Sequence, residues 1–587
     1  MKPLATSIRP LIPLFDFQCL SEAFISTMGY RRQSSLDQIL FLSTFILRAF
    51  ALPASNAGPS VTIASGVVVG TTTQPAGSTN YANAYLGVPF AKSPPERFSP
   101  PEAAPSWSSP LSATAFRPAC IQQFTNTGNA QVLQKQYFGN PTGALTEESE
   151  DCLYLNVFTP PNASNSGKKA VMFWLFPGNL QFGTASLPIY DGSSLAISQD
   201  VVVVTINYRT NSKCISLRHL SGGCRLTVSL VFGFSNSPEV PTGSQNSGFL
   251  DQRFALRWVQ DNIAMFGGDP SRVTIFGESA GGESVKQLLA NPPSPLPFSA
   301  AIMQSQQSLL VGSGSDSYKK VLKQFACDKA PSPIACLRLL PATDIKAYIE
   351  SAALVFPPVN GDGTSVSDVR GSITSKKWPK IPVLIGTTLN EARVFLAVEN
   401  KADGASALDS ALSKVGISST ATKNSVLAGY SAKGVNDLYT VADRIITDAV
   451  FTCTTSTLSS FLAWNGYTAY RYRYDASFPS TSIFPNAGAY HTSEIPSVFG
   501  TYPQYNKFGS ATQQQINLSS YMQGVWGGFA NNPGNGVGWS KVGGALGFEL
   551  GLLGAGGSSS VSVAMSLVAD YPCALYSGLA DIAGLSY

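Results

Sequence analysis

Short apolar runs separated by amphipathic segments recur along this chain. Residues 168–179 and 200–209 contain continuous apolar runs, and the first run stops at Pro-Gly. Residues 272–282 and 380–395 each begin with a short apolar run that meets a turn, and residues 467–475 alternate aromatic with polar positions. Continuous runs of this length are typical of strands buried on both faces of a sheet.

Helix-like segments lie between several of these predicted strands. In residues 251–267 the large apolar side chains fall mostly at helical spacing: Phe254, Leu256, Trp258, Val259, Ile263 and Phe266. Buried strands alternating with helices predict an α/β fold with a mostly parallel central sheet. Residues 536–562 are rich in glycine, which favours loops near the C-terminus.

Composition and charge argue against some classes of function. Charged residues make up 13% of the chain, and the net charge is +4. No cluster of five or more Lys and Arg residues occurs, so a nucleic-acid partner is not indicated. No run beyond the N-terminal region reaches about 18 apolar residues, so we expect no integral membrane segment.

The N-terminal region has the features of a secretory leader. An apolar run at residues 39–54, interrupted by Arg48, follows Arg31 and Arg32. We therefore predict a signal peptide over residues 1–54, with Met28 as an alternative start, and a catalytic domain over residues 55–587. An amphipathic N-terminal helix is the competing interpretation.

The cysteine content agrees with export. Of nine cysteines, Cys19 falls in the predicted leader, which leaves an even set of eight. An even set in a secreted chain indicates disulfide bonds, although spacing does not give the pairing. Sequons at Asn162 and Asn517 are compatible with glycosylation of surface loops. We expect a secreted, extracellular protein.

The motif Gly-Glu-Ser-Ala-Gly places Ser279 between a predicted strand and a predicted helix. Glycines on either side permit a tight turn that exposes the serine hydroxyl above the sheet. A Gly-x-Ser-x-Gly sequence also arises by chance, but here both flanking elements are present. The pattern predicts a catalytic nucleophile.

A serine nucleophile needs a base, and the chain has two histidines, His219 and His491. In folds that carry this turn, the acid and then the histidine follow the serine along the chain. That order selects His491. Glu391, just after the predicted strand in 380–395, is the preferred acid; Asp362 and Asp368 satisfy the order but lack the strand.

The transition state of acyl transfer needs donors for its oxyanion. One donor is expected from the main-chain N–H after the nucleophile, that of Ala280. The others should come from the turn after an earlier strand, at residues 176–183.

Several long motifs resemble the type-B carboxylesterase/lipase family, the cholinesterase-like branch of the α/β-hydrolases, and particularly its secreted fungal members. The matching segments include residues 85–98, 150–160, 246–282 and 488–500. The resemblance covers most of the chain beyond about residue 60. It implies the α/β-hydrolase fold with a single large catalytic domain.

The resemblance also implies roles for individual residues. Ser279 matches the family nucleophile, Glu391 its acid and His491 its base. The oxyanion donors correspond to the amides of Gly178 and Asn179. The family commonly has three glycines in that turn, where this chain has Pro-Gly-Asn. Cys120 with Cys152 and Cys327 with Cys336 match family disulfides, and Cys453 with Cys573 is a third, less supported pair.

Residues 212–230 interrupt two motifs that look continuous in the family. The segment contains His219, Cys214 and Cys224 and has little apolar periodicity. One hypothesis is a retained intron, in which case these three residues are absent from the protein. The other is a lineage-specific loop closed by the two cysteines.

These observations predict a secreted serine hydrolase that cleaves carboxylic esters through an acyl-enzyme. The expected partner is a small-molecule or lipid ester, and no metal or organic cofactor is expected. Two alternatives stay open: a triglyceride lipase with interfacial activation, and a non-catalytic binding protein of the same fold.

Overall fold

A computed structural model describes residues 58–124, 128–164, 167–210, 233–307, 312–544, 547 and 549–576. The predicted leader at residues 1–54 lies outside the described residues. So does the whole interrupting segment 212–230, with His219, Cys214 and Cys224. From Gly58 onward the chain forms one unit of structure.

Fourteen strands form the described sheets. In chain order they are β1 Ser60–Ile63, β2 Gly66–Val69, β3 Thr71–Thr73, β4 Ala82–Pro89, β5 Leu111–Ser112, β6 Tyr154–Thr159, β7 Lys169–Leu175, β8 Val202–Ile206, β9 Gly268–Glu278, β10 Ala300–Gln304, β11 Val383–Thr388, β12 Ala469–Tyr474, β13 Leu550–Leu553 and β14 Val561–Ala564.

A sheet of 11 strands runs in the order β14-β13-β12-β11-β10-β9-β7-β8-β6-β4-β3. Neighbouring strands from β8 to β13 are parallel, and the strands at both edges are antiparallel. A small sheet of three strands, β1-β2-β5, is separate from it. The predicted α/β fold with a mostly parallel sheet is therefore confirmed.

Helices cover the sheet. The α-helices are α1 Gly128–Gln134, α2 Ser193–Gln199, α3 Ser247–Asn262, α4 Ala280–Ala290, α5 Gly314–Gln324, α6 Pro333–Leu339, α7 Ala342–Ser351, α8 Val369–Thr374, α9 Arg393–Val398, α10 Gly404–Lys414, α11 Thr420–Ser431, α12 Leu438–Ile446, α13 Cys453–Trp464, α14 Ile495–Phe499, α15 Gln513–Asn531 and α16 Leu567–Asp570. Lys135–Gly139 and Thr447–Thr452 are π-helical. Short 3₁₀ turns occupy Pro188–Tyr190, Ile263–Phe266, Cys327–Lys329, Pro479–Thr481, Tyr502–Tyr505, Pro533–Asn535, Ala555–Gly557 and Tyr571–Leu575.

The continuous apolar runs of the sequence form buried strands. Every residue of β8 and β11 is buried, as are all residues of β7 after the first. Burial on both faces explains why the sequence of these strands is continuously apolar instead of alternating. The predicted helix at 251–267 begins earlier, at Ser247, and changes to a 3₁₀ turn after Asn262.

Two expectations from sequence were wrong. The Gly-rich stretch at 536–562 is not only loop, because it contains β13 and the start of β14. The glycine content concealed a short strand that pairs with β12 on one side and with β14 on the other. Asn517 lies in helix α15 instead of a loop, while Asn162 lies in an exposed turn; both side chains are exposed.

Three disulfide bonds join described cysteines. They pair Cys120 with Cys152, Cys327 with Cys336, and Cys453 with Cys573, the pairs that the resemblance implied. The last bond lies at the edge of a second hydrophobic cluster, built largely by α10 to α13. Within the described ranges, no helix is long and apolar enough to cross a membrane.

Candidate active site

Ser279 sits at a sharp turn between the end of β9 and the start of α4. Its backbone has φ 54° and ψ −119°, a combination that residues with a Cβ rarely adopt. The turn is held by hydrogen bonds from the Ser279 N–H to the Gln304 carbonyl (2.8 Å) and from the Glu283 N–H to the Ser279 carbonyl (2.7 Å). Backbone strain of this kind costs about 1–3 kcal/mol and is typical of functional sites.

The two motif glycines allow this turn to pack. A Cβ on Gly281 would lie 1.9 Å from the Leu175 main-chain oxygen, and a Cβ on Gly277 would lie 2.5 Å from the Gly281 carbonyl carbon. These distances exclude any side chain at either position without movement of the backbone. The motif therefore needs glycine at both positions so that the chain can pack closely, as well as to form the turn.

Glu391 and His491 form a short hydrogen bond. His491 Nδ1 lies 2.6 Å from Glu391 Oε2, and both side chains are buried. The other carboxyl oxygen of Glu391 accepts from the Thr388 N–H and the Ser305 hydroxyl, each at 2.7 Å. Because an ionised carboxyl group only accepts, Nδ1 must donate, which leaves the lone pair of Nε2 able to take a proton.

Two phenylalanines fix the plane of the imidazole. The ring centres of Phe395 and Phe451 lie 5.2 and 5.0 Å from that of His491. These rings shield the Glu391–His491 pair from water on the side of the cavity. A low local dielectric strengthens the hydrogen bond between them.

No hydrogen bond joins Ser279 to His491, both of which are described residues. The Ser279 hydroxyl instead donates to the Gln307 carbonyl at 3.5 Å, which is long for a hydrogen bond. Ser279 and His491 nevertheless line the same cavity. Catalytic hydrogen bonds are often long or misaligned until substrate binds, so this geometry is compatible with proton transfer.

The rival acids lie elsewhere. Asp362 is occupied by hydrogen bonds to Thr364 and Ser365, and it also accepts from the Asn246 N–H. Asp368 caps the start of α8 through the Gly371 N–H at 2.7 Å. The structure therefore brings only Glu391, of the three candidate acids, to His491.

Sequence reasoning missed two further carboxyl groups in the site. Glu278 Oε1 lies 3.2 Å from His491 Nε2. Burial, with the neighbouring Glu494 and Glu391, raises the pKa of Glu278 well above its ordinary value, and burial raises the pKa of Glu494 to about 8. Glu494 therefore favours the neutral form near neutral pH. A local signal existed, since Glu278 directly precedes Ser279 and Glu494 follows His491 by three residues.

The proposed oxyanion turn follows β7. Gly178 has φ 123° and Asn179 φ 55°, and the Gly178 carbonyl accepts from the N–H groups of Gln181 and Phe182. A Cβ on Gly178 would lie 2.0 Å from the Phe182 carbonyl oxygen, so only glycine fits here. Gly178 and Asn179 line the cavity with Ser279. Ala280 begins helix α4, where the first N–H groups have no partner within the helix.

The cavity beside Ser279 has a volume of about 150 Å³ and a largely apolar wall. Its walls include the four phenylalanines Phe138, Phe182, Phe395 and Phe451. Glu399 and Lys414 also line it and form an ion pair with each other. In the described part of the chain, no group of three or more His, Cys, Asp or Glu residues could hold a metal ion.

The 11-stranded sheet with a serine at the turn between a central strand and a helix defines an α/β-hydrolase. The chain matches the model of the Carboxylesterase family over residues 57–213 and 228–544. The unmatched stretch between these two ranges falls inside the interrupting segment 212–230.

Characterised relatives agree with the family match. The chain is 32% identical to cocaine esterase of Homo sapiens over 500 residues, which covers 81% of this chain and 84% of the relative. It is 32% identical to liver carboxylesterase of Sus scrofa over 535 residues, with 84% and 89% covered. Para-nitrobenzyl esterase of Bacillus subtilis is 33% identical over 485 residues, with 79% and 88% covered.

The chain therefore belongs to the carboxylesterase family. It is a carboxylic-ester hydrolase, and the alternative of a non-catalytic binding protein is not supported. The predicted α/β-hydrolase fold is confirmed by the same match.

Proposed function

We propose that this protein is a secreted serine esterase that works through an acyl-enzyme, with Ser279 as nucleophile, His491 as base and Glu391 as acid. The observation that carries the proposal is the 2.6 Å bond between Glu391 and His491 beside the cavity that Ser279 also lines. A buried acid that holds one imidazole nitrogen as a donor prepares the other nitrogen as a base.

In the first half-reaction, Ser279 Oγ forms a bond to the ester carbonyl carbon and its proton passes to Nε2 of His491. The hydroxyl leaves its long contact with the Gln307 carbonyl for this purpose. The amides of Gly178, Asn179 and Ala280 donate to the oxyanion. When the ester C–O bond breaks, the proton on Nε2 goes to the leaving alcohol.

In the second half-reaction, a water molecule gives its proton to Nε2 and attacks the acyl carbon. The bond between Ser279 and the acyl group breaks, and Nε2 returns the proton to Ser279. Glu391 stabilises the imidazolium in both halves without taking its proton. No cofactor takes part in this sequence.

The four phenylalanines of the cavity wall favour apolar substrates. Glu399 and Lys414 neutralise each other, so they give the cavity no net charge that would attract an ionic ester. The name of the Bacillus relative, para-nitrobenzyl esterase, suggests an aromatic ester as one useful probe. We propose small neutral esters as the substrate class, and we keep lipid esters as the second candidate.

Hydrolysis of p-nitrophenyl esters of increasing acyl length by the purified protein tests this function. Wild type should release p-nitrophenol with a burst whose size equals the enzyme concentration when deacylation is slow, and Ser279→Ala should lose both burst and turnover. Turnover that survives in Ser279→Ala would exclude the nucleophile. A jump in rate once the substrate exceeds its solubility would favour the lipase with interfacial activation.

Secretion is part of the proposal. The leader-like residues 1–54, three disulfide bonds and two exposed sequons at Asn162 and Asn517 support export and glycosylation. Expression of the full chain in a secreting host, followed by N-terminal sequencing and glycosidase treatment, tests it. Retention of the protein inside the cells with an intact N-terminus would contradict secretion, but not the proposed esterase activity.

A further inference from the structure

Glu391 and His491 both lie on connections beyond the ends of the central strands. Glu391 follows β11, and His491 lies between the 3₁₀ turn Pro479–Thr481 and helix α14. The 2.6 Å bond between them therefore depends on how two separate loops are held together. Asp443, a fully buried residue of α12, accepts hydrogen bonds from two side chains close to Glu391, those of Asn390 and Arg393.

Asn390, which precedes Glu391, connects the two loops directly. Its main-chain N–H donates to the Ala489 carbonyl (2.9 Å), and its side-chain oxygen accepts from the Ala489 N–H (3.2 Å). Its amide nitrogen then donates to Asp443 Oδ2 at 2.7 Å. Asn390 thus pairs with the residue two positions before His491 while Asp443 fixes its side chain.

Arg393 forms a second connection between the same loops. Its Nε donates to Asp443 Oδ2 at 3.0 Å, and its Nη1 donates to the Asn486 carbonyl at 2.9 Å. One carboxyl oxygen of Asp443 therefore binds two side chains, and each of those side chains reaches the His491 loop. Gly488 permits the approach, since a Cβ there would lie 2.6 Å from Asn390 Oδ1.

The other oxygen of Asp443 completes the arrangement. Asp443 Oδ1 accepts from the Thr447 hydroxyl at 3.1 Å, and Thr447 Oγ1 accepts from the Ala392 N–H at 3.2 Å. Asn390 and Ala392, the residues on both sides of Glu391, are thereby tied to one carboxyl group. Movement of Glu391 relative to His491 would break several of these bonds together.

We propose that Asp443 is a positioning residue for catalysis, which acts through Asn390 and Arg393 to hold Glu391 against His491. The proposal rests on the proposed function, because it assumes that the Glu391–His491 pair serves the reaction. Only a carboxylate suits the site, since Asp443 accepts from three donors: Asn390, Arg393 and Thr447. An amide would turn a donor toward one of them and leave Arg393 without its buried counter-charge.

Steady-state kinetics of Asp443→Asn on p-nitrophenyl acetate give the first test. We expect kcat to fall about 10- to 100-fold with KM within about twofold, as for a small misplacement of catalytic groups. The matched control is Asp448→Asn. Asp448 is also a buried acid, one helical turn further on, but its carboxyl accepts from Tyr430 at 2.8 Å. Equal losses of kcat in both variants would overturn the proposal.

A double-mutant cycle separates positioning from general loss of stability. In the Glu391→Gln variant the contact between residue 391 and His491 no longer serves catalysis. Adding Asp443→Asn to that variant should therefore lower kcat by less than about twofold. The same fold-loss in both backgrounds would mean that Asp443 acts independently of Glu391, and would reject the proposal. If Glu391→Gln alone left kcat unchanged, the proposed function itself would fail, whatever Asp443 does.

Asn390→Ala provides a second route if Asp443→Asn does not fold. It keeps Asp443 paired with Arg393 and Thr447, and it removes the Asn390 side chain that bridges Asp443 to Ala489. A loss confined to kcat, with an unchanged thermal unfolding midpoint, is the expected result. Wild-type kcat in this variant would show that the bridge does not position the pair.

Discussion

His491 Nδ1 and Glu391 Oε2 lie 2.6 Å apart although the residues are separated by 100 positions in the chain. Two further donors, Thr388 and Ser305, saturate the other oxygen of Glu391. Glu391 is therefore held by three elements at once: its own strand end, the end of β10 and the His491 loop. Its orientation is predetermined, which is what an acid that aligns a base requires.

The first prediction concerns the tautomer of His491. Glu391→Gln keeps the shape of the side chain, but its amide can donate to Nδ1 and so place the proton on Nε2. A base with a proton already on the reacting nitrogen cannot accept one from Ser279. We expect kcat/KM for p-nitrophenyl acetate to fall about 10³- to 10⁴-fold, as when the aspartate of a Ser-His-Asp triad is replaced by asparagine.

Far-UV circular dichroism and the thermal unfolding midpoint should be compared with wild type, to show that the Glu391→Gln variant is folded. Activity within tenfold of wild type would mean that Glu391 does not orient the base. The rival acids Asp362 and Asp368 would then need the same test, despite their other hydrogen bonds.

The second prediction concerns strain at the nucleophile. Ser279 adopts φ 54° and ψ −119°, which glycine tolerates far better than serine. Ser279→Gly should therefore be inactive yet more stable than Ser279→Ala, which keeps the Cβ, by about 1 kcal/mol. Urea unfolding of the two variants measures the difference, and a Gly variant less stable than the Ala variant would contradict the claim of strain.

Several of these features were accessible from sequence for local reasons. The serine turn needs close packing of Gly277 and Gly281, and such a requirement appears directly as a motif. Glu391 was selected because it follows a predicted strand, and His491 because it follows Ser279 in the chain. Both criteria depend only on the order of residues in the sequence. The buried apolar strands were equally visible, because burial on two faces leaves no polar positions.

Other features depend on contacts between distant segments, which no local pattern records. Asp443 is an ordinary acid in an amphipathic helix until the fold brings it to Asn390, 53 positions away. The raised pKa values of Glu278 and Glu494 arise only because the fold buries both carboxyl groups beside Glu391. Strand β13 was hidden because its Gly-rich surroundings resemble a loop, while pairing with β12 decides its structure.

The third prediction follows from the buried acid Glu494. Its pKa is raised from 4.5 to about 8, mainly by burial, so between these values the folded chain keeps a proton that the unfolded chain has lost. Unfolding then releases a proton, and stability falls as the pH rises through this window. The contribution of Glu494 is fully present below about pH 4.5 and is lost by about pH 8.

Glu494→Gln removes this titration but retains an oxygen that can accept from Gln304, as Glu494 Oε1 does at 2.8 Å. Between pH 5 and pH 8 the wild type should lose a few kcal/mol more unfolding free energy than the variant. Urea unfolding midpoints across this range measure it. Parallel pH profiles for the two proteins would show that Glu494 is already ionised in the folded state.

The last prediction concerns the interruption at residues 212–230. Its described flanks lie side by side: the Gly233 N–H donates to the Thr210 carbonyl at 3.2 Å. The Gly233 carbonyl in turn accepts from the Gly248 N–H at 2.9 Å, at the start of α3. Deletion of 212–230 would leave Asn211, Val231 and Phe232 between Thr210 and Gly233. Three residues are enough to close a turn with this hydrogen bond.

The deletion variant should therefore fold and keep kcat/KM within about twofold of wild type, because no proposed catalytic residue changes. Closing a much shorter connection costs less chain entropy, so the unfolding free energy should rise by about 1 kcal/mol. All three described disulfide bonds remain, since none uses Cys214 or Cys224. Urea unfolding measures the stability, and ester hydrolysis measures kcat/KM.

A deletion variant that loses activity would mean that the segment belongs to the working enzyme. Transcripts that always contain the codons of 212–230 would exclude the retained intron.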